Sequence, residues 1–112
     1  MKMNERNIGR ILDVLQYAIQ HFGKTFMEDD LYKACPSATS NIIDLLDERE
    51  VFTCTKDGIS FDEGNIEEYR SFLYDLQDEI DDLNIPEEIK KEINSKIDLN
   101  LNFNFNLNLL NL

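Results

Sequence analysis

The chain has 112 residues and a mass of 13.1 kDa, the size of a single domain. Eleven basic residues stand against 23 acidic ones, a formal charge of −12, while 42% of residues are apolar, enough for a packed core. That charge excludes a generic electrostatic grip on nucleic acid, which requires basic groups to displace counterions from phosphate, and it disfavours an anionic membrane surface.

The first helix is expected over Asn4–Phe22, where Ile8, Ile11, Leu12, Leu15, Ala18, Ile19 and Phe22 recur at helical spacing. Gly23 is its natural stop, because glycine takes the left-handed conformation without a steric penalty. Thr25 and Glu28 have capping-box spacing, so a short second helix is expected from Thr25 to Ala34, with Leu31 and Ala34 on its core side. Pro36 ends it. A third helix is expected from Ser37 to Glu50, burying Ala38, Ile42, Leu45 and Leu46 and exposing Ser37, Ser40, Asn41, Asp44 and Glu48.

The period then changes. Two short runs, Val51–Thr55 and Ile59–Phe61, flank Asp57-Gly58, the dipeptide of a two-residue hairpin loop. That loop would pair Thr55 with Ser60 and Cys54 with Phe61, and would turn Phe52, Cys54 and Phe61 to the core. Asn65 and Glu68 again have capping-box spacing, ahead of a long helix over Ile66–Leu83. Its apolar positions Ile66, Tyr69, Leu73, Leu76, Ile80 and Leu83 step by threes and fours, a heptad seam. Pro86 opens a last helix ending near Asp98, with Ile85, Ile89, Ile93 and Ile97 as its stripe.

From Leu99 to Leu109 every odd position is apolar, and every even position from Asn100 to Asn108 is asparagine. Alternation of this kind is a strand signature and also the pattern of aggregation-prone edges. A paired strand and a low-complexity tail both fit residues 99–112. The expected fold class is mainly α with a small β hairpin. It is divided into 1–64, a helical extension 65–98 that packs on it or dimerises, and the tail.

Three helices, a Cys35-Pro36-Ser37 turn before the third, and a Thr-Lys-Asp-Gly-Ile-Ser hairpin at 55–60 resemble a winged helix-turn-helix domain over about residues 4–63. The resemblance implies a recognition helix at Ser37–Glu50, with Ser37, Ser40, Asn41 and Arg49 presented to DNA, and a wing carrying Lys56. The sequence departs from DNA-binding members at that helix, which offers carboxylates where arginine and lysine would meet phosphate and base edges. Residues 1–64 hold seven basic and twelve acidic side chains, and 65–98 hold four and eleven.

No enzyme motif is present. His21 is the single histidine, suited to the end of the first helix, where a positive charge meets the negative dipole end. Cys35 and Cys54 have neither CxxC nor zinc-ligand spacing, so two buried reduced thiols are expected, with no metal and no cofactor. The N-terminus MKMNERNIGR lacks the apolar core of a secretory signal, which points to the cytoplasm of a cell or of an infected host.

Two functions fit. In the first, a non-enzymatic protein-binding module presents Asp75, Asp78, Glu79 and Asp82 to the basic surface of a nucleic-acid-binding partner, as an inhibitor or DNA mimic. Small acidic anti-defence proteins of phages and mobile elements resemble it in size and charge. In the second, a winged-helix regulator binds DNA as a homodimer, through the seam Tyr69, Leu73, Leu76, Ile80 and Leu83.

Overall fold

A computed structural model of the chain describes residues 1–105. Helix α1 (Glu5–Gln20) opens where the Asn4 side chain accepts from the Asn7 N–H at 2.9 Å, and it buries the expected stripe from Ile8 to Ile19 together with Val14; Phe22, just past its end, is buried too. Gly23 takes the left-handed conformation (φ 81°), and its N–H donates to the Phe61 carbonyl at 2.9 Å. The end of α1 is thereby tied to the sheet.

Thr25 does not cap a helix. Thr25–Phe26 form strand β1, paired antiparallel with Ser60 and Ile59, and the Thr25 and Ser60 hydroxyls meet at 3.0 Å. Helix α2 (Glu28–Ala34) starts at Met27 with no side-chain cap; three carboxylates in its first turn offset the helix dipole instead. Under two turns long, it has one fully buried position, Leu31, and Ala34 is exposed.

Helix α3 runs Ser40–Glu48, shorter than expected at both ends. Residues 35–39 form a turn, closed by the Ala38 N–H on the Cys35 carbonyl, and Thr39 is the cap, accepting from the Ile42 N–H at 3.4 Å. Ala38, Ile42, Ile43 and Leu46 are buried, whereas Leu45 is half-buried.

Strands β2 (Thr53–Thr55) and β3 (Gly58–Ser60) complete a three-stranded antiparallel sheet of order β1-β3-β2. The hairpin register differs from expectation. Thr55 pairs with Gly58, Cys54 with Ile59 and Thr53 with Ser60, so the loop is Lys56-Asp57. Two contacts fix it, one local and one tertiary. The Thr55 hydroxyl accepts from the Asp57 N–H at 3.2 Å, a side-chain turn. Gly58 also lies against β1, where a Cβ would stand 2.7 Å from the Phe26 carbonyl oxygen. Phe52 and Phe61 reach the core as expected, but Cys54 sits on the exposed outer strand. Both cysteines are free, Cys35 half-buried and Cys54 exposed, so the expectation of two buried thiols fails.

The capping box after the sheet joins Asp62 to Asn65, around a single 3-10 turn at Glu63–Asn65, rather than Asn65 to Glu68. The Asn65 amide turns back, donating to the Glu50 carbonyl at 3.1 Å and the Thr53 hydroxyl at 3.2 Å. Helix α4 (Ile66–Asp81) follows, then α5 (Glu87–Leu101), introduced by Pro86. Within α4, Tyr69, Phe72, Leu73, Leu76 and Ile80 are at most 1% exposed, and Leu83 beyond it is half-buried. The face of α5 that carries Ile93 and Ile97 packs on α4 and also meets α1, so the seam is filled within the chain.

Residues Leu99–Leu101 are helical, not extended. The reason is tertiary: the buried Tyr69 hydroxyl donates to the Asn100 carbonyl at 3.0 Å, and the Asn100 amide donates to the Lys96 carbonyl. Beyond α5, Phe105 is 2% exposed and its ring meets those of Phe22, Phe61 and Tyr69 at 4.8–5.7 Å. The rest of the expected strand, 106–112, lies outside the described residues. One apolar cluster runs from Ile8 to Phe105, so residues 1–64 and 65–98 share a core. The fold is mainly α with a small antiparallel sheet, and no helix among the described residues is long and apolar enough to cross a membrane.

Candidate functional site

Asp75, Asp78, Glu79 and Asp82 recur by three, one and three residues, which places them along one exposed side of α4 and its C-terminal cap. They are not equivalent. Arg49, at the end of α3, donates to the Asp75 carboxylate at 2.5 Å, and its guanidinium lies 5.0 Å from the centre of the Phe72 ring. Asp78, Glu79 and Asp82 are in no ion pair among the described residues. A cation assigned to DNA recognition and a carboxylate assigned to partner capture thus engage each other.

The remaining recognition residues are dispersed. Ser37 sits in the turn before α3, beside a shallow pocket against α1 with Asp13, Gln16 and Tyr17. Ser40 and Asn41 are exposed in the first turn of α3, and Lys56 is exposed in the hairpin loop.

A second cleft, of about 330 Å³, opens between α3 and the β2–β3 hairpin. Its apolar lining comes from Met27, Ile43 and Ile59, and its carboxylates are Glu28, Asp44 and Asp47, with Lys56 opposite. Asp44 and Asp47 lie three apart on α3 and share a side of it; Glu28 opens α2 immediately after β1, and β1 is held against β3. The clustered charge is felt by the neighbouring side chains. Partial burial and the carboxylates of Asp47, Glu28 and Asp44 push the Cys54 thiol up to about 11. The Tyr32 hydroxyl, donating to Glu28 at 2.5 Å, is pushed up to about 12, first by that bond and then by burial and by the charges of Glu28, Asp44 and Asp29.

Asp47 and the convergence of Glu28 with Asp44 escape sequence reasoning. The three-residue spacing of Asp44 and Asp47 was a usable signal; the approach of Glu28 had none, because it depends on β1 joining the sheet. His21 is the cap residue of α1, its Nδ1 at 2.9 Å from the Tyr17 carbonyl and its ring stacked on Tyr17 at 4.1 Å. A carbonyl only accepts, so Nδ1 carries the proton. Among the described residues no group of three or more His, Cys, Asp or Glu is placed to hold a metal ion.

No family model matches the chain, and no match was found among the curated proteins or the solved structures.

Proposed function

We propose that this protein is a non-enzymatic acidic binding module whose winged-helix-like body occupies the basic surface of a nucleic-acid-binding partner, as an inhibitor or DNA mimic inside a cell or infected host. The observation that carries the reading is the character of the α3–hairpin face. A recognition helix and wing would hold DNA there, yet it is lined by Glu28, Asp44 and Asp47 with Lys56 the one cation, and Arg49 is taken up by Asp75. Carboxylates at that face repel a phosphate backbone and attract the groups that would bind one. The order α1-β1-α2-α3-β2-β3 supports the winged-helix resemblance.

Fluorescence anisotropy of a random duplex of about 30 base pairs at low salt, where charges are least screened, tests it. No binding up to tens of micromolar is expected. Binding that fades steeply with salt would instead support the DNA-binding regulator.

A further inference from the structure

We infer that the α3–hairpin cleft receives one lysine or arginine side chain of a protein partner, with its aliphatic stem against Met27, Ile43 and Ile59 and its charged head among Glu28, Asp44 and Asp47. The inference rests on the acidic-module reading and narrows it to one place and one occupant. Two features set this cleft apart from the acidic side of α4. First, it is a hollow with an apolar lining: Met27 is 52% exposed, one of few large apolar side chains so placed among the described residues, and the edges of the largely buried Ile43 and Ile59 line the same hollow. A stem of three or four methylenes covers such a surface while its head stays polar. Second, the three carboxylates approach from two elements, α2 and α3, and none is in an ion pair among the described residues. On α4, by contrast, the acidic side chains lie along the outside of a single helix. Complementary charge selects a cation, and the apolar lining favours a cation on a long stem.

The test titrates the isotopically labelled protein with acetylated hexa-lysine amide and follows backbone amide shifts by NMR. Salt is held at about 150 mM to screen diffuse attraction to the overall charge. The largest shifts are expected at Met27, Asp44, Thr55 and Gly58. The exposed, near-isosteric pair Asp44→Asn and Asp47→Asn should weaken binding about fivefold with the spectrum otherwise native. A hexamer of 2,4-diaminobutyrate, equal in charge but two methylenes shorter per side chain, should bind about tenfold more weakly. Equal affinity for the two hexamers overturns the role of the apolar lining. Shifts centred on Asp78, Glu79 and Asp82 overturn the cleft and leave the acidic-module reading standing. No shifts up to about 1 mM peptide remove that reading as well.

Discussion

Gly58 is the residue on which the sheet turns. Its φ of 131° belongs to a region that side-chain-bearing residues rarely adopt, and a Cβ would collide with the Phe26 carbonyl at 2.7 Å and with the Thr25 methyl at 2.9 Å. Gly58→Ala is expected to destabilise the protein by about 2–3 kcal/mol in urea unfolding, since it adds backbone strain and pushes β1 away. Near it, Cys54 is raised from 9.0 to about 11 despite its place on the surface. Its alkylation by iodoacetamide at pH 8 should be slower than that of an unperturbed thiol, by about tenfold, because less of it is thiolate, the reactive form, and the greater nucleophilicity of a thiolate of raised pKa offsets only part of that loss. Asp47→Asn removes part of the cause and should speed it. Tyr69 is also shifted upward, by burial, so the folded chain keeps its proton where the unfolded chain has lost it. Its contribution to stability is therefore complete below about pH 10 and declines above it. In Tyr69→Phe the fall in unfolding free energy above that pH should be shallower, although the variant is weaker at neutral pH for want of its bond to the Asn100 carbonyl.

Between elements, Asn65 is the main polar joint. It is 5% exposed, it accepts from the Asp62 N–H at 3.0 Å, and its amide reaches the Glu50 carbonyl, where the chain is left-handed at φ 61°. Asn65→Ala should cost about 2–3 kcal/mol, because the Glu50 and Asp62 backbone groups lose their partner together, and hydrogen exchange should quicken first at Asp62. The Arg49–Asp75 pair joins α3 to α4 but is exposed on both sides, 36% and 55%. Arg49→Ala is expected to cost under about 1 kcal/mol by thermal unfolding.

At the scale of the whole molecule, the segment just after α5 closes the core. Phe105 fills a space among Phe22, Phe61 and Tyr69, which come from just past α1, just past β3 and from α4. Phe105→Ala should therefore lower stability by about 3 kcal/mol, the scale of an emptied aromatic site, without changing helix content by circular dichroism. The seam of α4 is spent on the same closure. With Tyr69, Leu73, Leu76 and Ile80 buried and α5 packed on α4, the seam is not the free surface that a dimer through it requires, and light scattering at micromolar concentration should return a monomeric mass.

The sequence by itself determined the long helices and which side of each faces inward, because helical periodicity is a local property: α1, α4 and the body of α5 fall where their apolar spacing put them. It also determined the acidic balance. Capping and register belong to the tertiary structure. Thr25 has the spacing of a helix cap but finds a better partner in Ser60, 35 residues away, and Asn65 turns from its own helix toward Glu50 and Thr53. The alternation at Leu99–Leu101 reads as a strand until the buried Tyr69 hydroxyl demands an acceptor that a helical Asn100 supplies. The candidate site divides in the same way. The pairing of carboxylates on one helix was legible in Asp44 and Asp47, but Glu28 joins them only because β1 packs on β3, and Arg49 leaves the surface's positive charge only because Asp75 lies across from it. Where contacts connect residues far apart in the chain, no local pattern encodes them, and the packing of the folded core decides.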